Sequence, residues 1–154
     1  MKKYLLFFAV FTLLFSACKK SDSFDAAKQA AEDDVKIQAY IKANNITAIK
    51  DASGLYYQIL REGTGVAPTI KSTVTVAYTG KLLNGTQFDS STSFSSALNG
   101  SLIQGWKIGI PFCKQDGRIL LLIPSGLGYG TTPKTGIPAN SVLVFTIDLF
   151  AVQG

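Results

Sequence analysis

The side chains that could do chemistry in this sequence exclude most familiar catalytic sites. The chain has no histidine and two cysteines, Cys18 and Cys113. Without histidine, a serine or cysteine nucleophile lacks its usual base and zinc lacks a common ligand. Asp89, Asp116 and Asp148 are scattered among expected strands and turns, so no carboxylate pair for glycosidic acid–base chemistry is indicated. We therefore expect no metal, no cofactor and no covalent nucleophile, and a buried, inert thiol at Cys113.

Aromatic residues are the more informative feature of the chain. The sequence holds ten Phe, six Tyr and one Trp. Several stand at expected turns and strand ends, namely Tyr78, Phe88, Phe94, Trp106, Tyr129 and Phe145. A single aromatic residue is more often part of a core than of a ligand site. The meaning of this set therefore depends on its order along the chain and on its neighbours.

The glycine-rich run from Gly126 to Gly130 superficially resembles a dinucleotide-binding loop. Its spacing differs from that motif, and Thr131-Thr132-Pro133 prevents a helix from following it. We therefore assign no nucleotide site. The chain has a net charge of +5, but its Lys and Arg residues form no cluster interleaved with aromatic residues. Nucleic-acid binding is therefore not indicated either.

Short motifs follow one another in compact order between residues 54 and 149. They are Tyr78-Thr79-Gly80, Phe88-Asp89-Ser90-Ser91, Ile103-Gln104-Gly105-Trp106, Ile123-Pro124-Ser125, Tyr129-Gly130, and Ile137-Pro138 followed by Leu143-Val144-Phe145. Together they closely resemble the FKBP family of peptidyl-prolyl cis-trans isomerases. The resemblance implies an α+β fold in which a strongly curved antiparallel β-sheet wraps around one short α-helix. The helix that carries Trp106 would lie across the concave face of the sheet.

The resemblance also implies a site. Its catalytic residues would be Tyr78, Phe88, Asp89, Ile103, Trp106, Tyr129 and Phe145, and its substrate-binding residues would be Phe94, Leu102 and Ile137. Trp106 would form the floor, while the backbone N–H of Ile103 and the hydroxyl of Tyr129 would hydrogen-bond substrate carbonyls. Asp89 would polarise or orient groups near the proline amide. The other aromatic side chains of the set would enclose the pyrrolidine ring.

The implied function is cis/trans isomerisation of Xaa-Pro bonds in exported or envelope proteins. Proline-containing polypeptides would be the partners, and macrolide inhibitors would bind the same pocket. Two departures from the family pattern stand out. Residues 95–100 replace a more aromatic segment and are one residue short, and Thr92 and Ser93 stand where a basic residue is common, so Asp89 would be held differently. These departures motivate a second hypothesis, a binding module or holdase that grips proline-containing segments without turnover.

Hydrophobic patterning predicts the elements that position this site. Strands are expected at residues 55–61, 73–83, 118–123 and 141–151. A turn is expected at Asn84-Gly85. A helix of about two turns is expected at residues 102–110, with Ser101 as its N-cap. Strands therefore outnumber helices, as in an α+β layout.

The N-terminus has the features of a bacterial lipoprotein signal. Two lysines precede an apolar run that is too short for a membrane helix. Phe15-Ser16-Ala17-Cys18 resembles the lipobox, which implies a signal peptide at residues 1–17 and lipidation of Cys18. The protein would then be anchored in the cell envelope by lipid, on the periplasmic or outer-membrane side. An ordinary cleaved signal with an incidental Cys18 is the alternative.

The rest of the chain is expected to divide into three parts. Residues 18–24 would be a lipidated tether, residues 25–50 a helical extension and residues 51–154 the FKBP-type domain. The extension favours a helix that ends at Asn44-Asn45 and places Val35, Ile37, Tyr40 and Ile41 loosely on one face. We interpret this helix as a spacer in a monomeric protein, with dimerisation through the helix as the alternative.

Overall fold

The computed structural model describes residues 24–154 of the chain, which form one antiparallel sheet and two α-helices. In chain order the elements are α1 (Ala26–Ala43), β1 (Ile49–Lys50), β2 (Tyr56–Arg61), β3 (Thr73–Leu82), β4 (Gln87–Ala97), α2 (Gln104–Gly109), β5 (Arg118–Ile123) and β6 (Leu143–Gln153). Short 3₁₀ turns cover Ile110–Phe112 and Ser125–Leu127. The strand order is β1-β2-β5-β6-β3-β4. The predicted α+β class, an antiparallel sheet with one short helix and an N-terminal helix, is confirmed.

Strand β5 lies in the middle of the sheet between β2 and β6, and hydrophobic cores cover both of its faces. Alternate side chains of a strand point to opposite faces. Ile119 and Leu121 join one hydrophobic core with Trp106 of α2, whereas Leu120 and Leu122 join a second core with Ile37 of α1. The two helices therefore cover opposite faces, which we name the α2 face and the α1 face.

Helix α2 lies directly against β5 because two glycines face the strand. A Cβ atom at Gly105 would be 2.5 Å from the side chain of Ile123, and one at Gly109 would be 2.6 Å from Leu121. Helix α2 follows an extended N-cap, Ile103, whose side chain makes no capping hydrogen bond. The predicted cap at Ser101 is wrong, because the N-cap is Ile103 and the helix begins only at Gln104.

Helix α1 has well-defined ends. The Asp25 carboxylate accepts hydrogen bonds from the N–H groups of Ala27 and Lys28, both at 3.0 Å, and Asn44 caps the C-terminus. The predicted extent of the helix is thus confirmed. The predicted apolar face is wrong at Val35, which is 68% exposed, because the buried side of the helix carries Ile37 and the charged Asp33 instead.

The contact between α1 and the sheet was not expected from the sequence. Ile37 is fully buried in the core of the α1 face, with Tyr40 and Ile41 packed around it. Neither interpretation of the extension, spacer or dimerisation helix, included packing against the chain's own sheet. No helix within residues 24–154 is long and apolar enough to cross a membrane. The predicted signal peptide and the lipidation site at Cys18 lie outside the described residues.

Strand β4 is the element that sequence patterning missed. It pairs with β3 along its length and forms one edge of the sheet. Its sequence, rich in Ser and Thr, alternates little between apolar and polar residues, so no strand was predicted there. The segment considered one residue short continues β4 to Ala97 and then buries Leu98 completely.

Candidate active site

A cavity of about 270 Å³ opens on the α2 face of the sheet. It is lined by Tyr78, Asp89, Phe94, Ser101, Leu102, Ile103, Trp106, Tyr129 and Phe145. The lining comes from β3, β4 and β6, from the start of α2 and from the loop after β5. All the predicted site residues in the described part of the chain line it, except Phe88 and Ile137.

Trp106 lies at the centre of an aromatic cluster in this cavity. Its ring centroid is 5.0 Å from that of Tyr78, 5.3 Å from Phe145 and 6.1 Å from Phe94, in each case nearly perpendicular. Edge-to-face contacts of this kind are favourable beyond the apolar area that they bury. Trp106 itself is 4% exposed, so its position is fixed by packing on several sides. The aromatic side chains of the cavity are therefore held in place by their packing on one another.

Phe88 and Ile137 lie in the α2-face core beside this cavity. The ring of Phe88 packs edge-on against Phe145, with centroids 5.5 Å apart. Ile137 is 5% exposed and belongs to the same core. Gly80 allows this arrangement, since a Cβ atom there would be 2.7 Å from the rings of both Phe88 and Phe145. A direct contact of Phe88 or Ile137 with substrate stays a prediction.

Asp89 is the acidic group of the cavity. It lies on β4 and accepts a 2.7 Å hydrogen bond from the hydroxyl of Tyr78 on β3. Its other oxygen accepts from the backbone N–H of Ser90 at 2.8 Å. These two donors hold the carboxylate in place in a chain that has Thr92 and Ser93 where the family resemblance predicts a basic residue.

The two tyrosines near Asp89 are held in their protonated forms. Burial raises the pKa of Tyr78 to about 12, with smaller contributions from its hydrogen bond to Asp89, from the charge of that carboxylate and from Tyr129. Burial, and then the charge of Asp89, also raise the pKa of Tyr129. Both hydroxyls therefore remain hydrogen-bond donors at neutral pH.

The cavity offers hydrogen-bond donors that the described residues, 24–154, leave unused. The backbone N–H of Ile103 precedes the first turn of α2, and it has no acceptor among residues 24–154. The Tyr129 hydroxyl makes no hydrogen bond within that range, in contrast to the hydroxyl of Tyr78. The indole N–H of Trp106 also has no partner there, but it is buried and is not counted among the donors open to the cavity. A polar ligand group placed over Trp106 thus meets free donors in an apolar setting.

The comparisons with known proteins agree with this geometry. The model of the family described as FKBP-type peptidyl-prolyl cis-trans isomerase matches residues 65–150, which is more than half of the chain. The chain belongs to this FKBP-type family. The FKBP fold predicted from the sequence is thereby confirmed.

The chain is similar to FKBP-type isomerases named FkpA. It is 38% identical to FkpA of Buchnera aphidicola subsp. Acyrthosiphon pisum over 87% of this chain and 58% of the relative. It is also 38% identical to FkpA of Escherichia coli K12 over 88% of this chain and 52% of the relative. The chain therefore spans between half and three fifths of the length of these curated relatives.

Solved FKBP-type structures resemble this one as well. The crystal structure of Escherichia coli FkpA superposes with a TM-score of 0.71 at 37% identity, covering 82% of this chain and 62% of the other. The peptidyl-prolyl cis-trans isomerase of Pseudomonas syringae pv. tomato DC3000 gives a TM-score of 0.70 at 27% identity, covering 86% of this chain and 99% of the other. The fold thus extends over nearly all of the Pseudomonas chain.

The FKBP-type cavity includes features that sequence reasoning did not assign to it. Ser101, expected to cap a helix, lines the cavity instead. Ser101 could have been assigned to the cavity because it precedes Leu102 and Ile103, both of which were expected in the site. The free indole N–H of Trp106 had no sequence signal, because hydrogen-bond satisfaction depends on tertiary packing.

Two larger depressions lie away from this FKBP-type cavity. One of about 760 Å³ lies between the start of α1 and the loop at residues 124–131. The other, of about 1050 Å³, lies on the α1 face beside β3 and β6. Neither gathers an aromatic floor with free donors, so the smaller cavity over Trp106 remains the candidate active site.

Proposed function

We propose that this protein catalyses cis/trans isomerisation of Xaa-Pro peptide bonds. One observation carries the proposal: the free N–H of Ile103 and the free hydroxyl of Tyr129 border the same aromatic cavity, whose floor is Trp106. An apolar pocket with a few convergent polar groups suits a small apolar ring flanked by carbonyls. A prolyl peptide has this composition. Membership of the FKBP-type family supports the same activity.

The reaction needs rotation about one bond and no bond cleavage. Peptide C–N rotation costs about 18–20 kcal/mol because resonance is lost in the twisted amide. The planar amide is more polar than the twisted one, so transfer from water to an aromatic pocket favours the transition state over the ground state. A barrier lowered by about 5 kcal/mol accelerates rotation by roughly 10³ to 10⁴, since each 1.36 kcal/mol is tenfold. Desolvation together with well-placed hydrogen bonds suffices for an effect of that size.

The cavity residues divide this work among them. The pyrrolidine ring would lie on Trp106, within the walls formed by Tyr78, Phe94 and Phe145. The Ile103 N–H and the Tyr129 hydroxyl would hold the substrate carbonyls on either side of the rotating bond. Tyr129 can donate because a phenol is protonated at neutral pH, and burial raises its pKa further. Asp89, held by its two hydrogen-bond donors, would orient groups near the proline amide.

The setting of this activity is part of the proposal. The lipobox-like sequence before Cys18 supports a lipid-anchored protein of the bacterial envelope, whose clients would be exported polypeptides. The chain would work as a folding helper there. Macrolide inhibitors would compete for the same cavity, as the family resemblance implies. Radiolabelled lipid incorporation that is lost in Cys18→Ser would support the anchor, and unlabelled wild-type protein would contradict it.

A refolding assay tests the function on a polypeptide. The substrate is a protein whose slow refolding phase is limited by a prolyl bond, followed by its fluorescence with and without this chain. The proposal predicts an accelerated slow phase and a much smaller effect from Asp89→Ala. Binding of the unfolded chain with an unchanged slow phase would instead support the alternative of a holdase without turnover.

A further inference from the structure

Helix α1 carries one fully buried acidic residue, Asp33, on the side that packs against the sheet. Its Oδ2 atom accepts hydrogen bonds from the backbone N–H of Ser125 at 2.8 Å and from the Ser125 hydroxyl at 2.6 Å. Its Oδ1 atom accepts from Gln29 Nε2 at 2.9 Å and lies 3.7 Å from Lys36 Nζ. Removal of a carboxylate from water is strongly unfavourable, so an apolar contact would attach the helix more favourably. The hydrogen bonds therefore suggest a role in fixing the position of Ser125.

Ser125 in turn controls the backbone on both sides of Tyr129. Its carbonyl oxygen accepts hydrogen bonds from the N–H of Gly128 at 3.0 Å and from the N–H of Gly130 at 2.9 Å. Gly130 has a φ of 57°, and its carbonyl accepts from Asn140 N at 2.8 Å. The loop that brings Tyr129 to the cavity is thus hydrogen-bonded to the carbonyl of Ser125. Ser125 itself is held by Asp33 of α1.

We propose that Asp33 is a positioning residue for the isomerase. Through Ser125 it fixes the loop at residues 125–130, and this loop holds the Tyr129 hydroxyl in the cavity. This inference rests on the proposed function. Helix α1 is then part of the catalytic unit and not only a connection to the N-terminus. Small displacements of a group that holds the substrate reduce rates strongly, because catalysis depends on orientation.

The neighbouring residue Asp34 provides a matched control on the same helix. It accepts hydrogen bonds from Lys50 Nζ at 2.6 Å, from the Tyr56 hydroxyl at 2.8 Å and from Gln38 Nε2 at 2.7 Å. These contacts attach α1 to β1 and β2, without a hydrogen bond to the loop that carries Tyr129. Asp34→Ala therefore removes a carboxylate that holds α1 but leaves the hydrogen bonds of Ser125 intact.

The first measurement is amide hydrogen exchange at Gly128 and Gly130, which reports on the loop without any substrate. Asp33→Ala should accelerate exchange at both amides by about tenfold or more, because their acceptor Ser125 is released. Asp33→Asn keeps an oxygen that can accept both Ser125 hydrogen bonds, so its exchange should stay within about twofold of wild type. Asp34→Ala should leave these two amides unchanged. Unchanged exchange in a folded Asp33→Ala protein would overturn the inference.

The second measurement is kcat/KM for a prolyl peptide. Asp33→Ala should lower it by about tenfold, with Asp33→Asn and Asp34→Ala close to wild type. The same substitution in a Tyr129→Phe background should cost much less, because the group that it positions is already missing. Equal losses in both backgrounds would indicate a general structural effect and would overturn the inference.

Two further arms keep the test decisive. If Asp33→Ala does not fold, Ser125→Ala removes only the 2.6 Å hydroxyl bond to Asp33 and should give smaller changes in the same direction. No change in either readout for that variant would contradict the inference. A wild-type protein without isomerase activity would overturn the proposed function, and hydrogen exchange would still decide whether Asp33 holds the loop.

Discussion

The hydroxyl of Tyr78 on β3 donates a 2.7 Å hydrogen bond to Asp89 on the neighbouring strand β4. This contact joins an aromatic wall of the cavity to its only carboxylate among the described lining residues. It holds Asp89 without a basic side chain. Burial raises the pKa of Tyr129, and the charge of the same carboxylate adds to this effect. The acidic and phenolic groups of the site therefore act as one unit.

Loss of the Tyr78 hydroxyl should weaken the site. In Tyr78→Phe the ring packing remains, but Asp89 keeps only the Ser90 N–H as a donor. We expect kcat/KM to fall about fivefold, which corresponds to about 1 kcal/mol. The control is Tyr57→Phe, because Tyr57 stacks on Phe112 at 4.4 Å outside the cavity. An equal effect of both substitutions would argue against the assigned role of Tyr78.

Alkaline pH should destabilise the protein through the same tyrosines. The pKa of Tyr78 is raised to about 12 and that of Tyr129 is also raised, whereas an unfolded chain releases these protons near pH ~10. Between these two pKa values the folded state binds more protons than the unfolded state. The free energy of unfolding should therefore fall as pH rises from about 10 towards 12. The free energy of unfolding, measured with urea at several pH values in this range, should fall less steeply with pH in Tyr78→Phe than in the wild type. An identical slope in wild type and variant would contradict the pKa assignment.

Gly80 should be intolerant of substitution because two rings of the site lie against it. A Cβ atom would be 2.7 Å from Phe88 and from Phe145, so Gly80→Ala must displace both rings. Overpacking of this kind costs about 1–3 kcal/mol of stability. We expect a lower melting temperature and a loss of kcat/KM of about tenfold. Gly126→Ala is the control for stability, since a Cβ atom there meets nothing within 4 Å, and a full-rate Gly80→Ala enzyme would contradict this packing of Phe88 and Phe145.

Cys113 should be inert in the folded protein. It is 1% exposed, and burial raises the pKa of its thiol to about 11. The thiolate is the reactive form of cysteine, so a thiol reagent at pH ~8 should react only after denaturation. Rapid labelling of the native protein would show that the core around Cys113 opens readily.

The strands that the sequence predicted are those with a clear apolar pattern. Strands β3 and β6 were expected within a few residues of their observed ends because their apolar residues repeat with a period of two. Strand β5 was expected because it is a continuous run of apolar, strand-favouring residues. Strand β4 was missed, since its Ser and Thr residues carry little hydrophobic signal and pairing with β3 decides its conformation. At the edge of a sheet, pairing with the neighbouring strand can determine the conformation more than the intrinsic preferences of the residues do.

The candidate site was predicted mostly by family resemblance, and its finer geometry was not. The sequence analysis assigned no role to Asp33, yet Asp33 is fully buried and accepts two hydrogen bonds from Ser125. No local pattern in α1 predicts a partner 92 residues away along the chain. The free N–H of Ile103 likewise depends on where α2 begins, which the sequence placed too early.

The most direct test of the central proposal is cis/trans exchange of a short Xaa-Pro peptide by NMR exchange spectroscopy, with and without residues 19–154. The peptide alone exchanges over tens to hundreds of seconds, too slowly for cross-peaks between its cis and trans signals. We predict that catalytic amounts of the folded protein produce these cross-peaks, and that Tyr129→Phe with Asp89→Ala weakens them strongly. Absence of cross-peaks with a protein whose folding is verified would contradict the proposed isomerase activity.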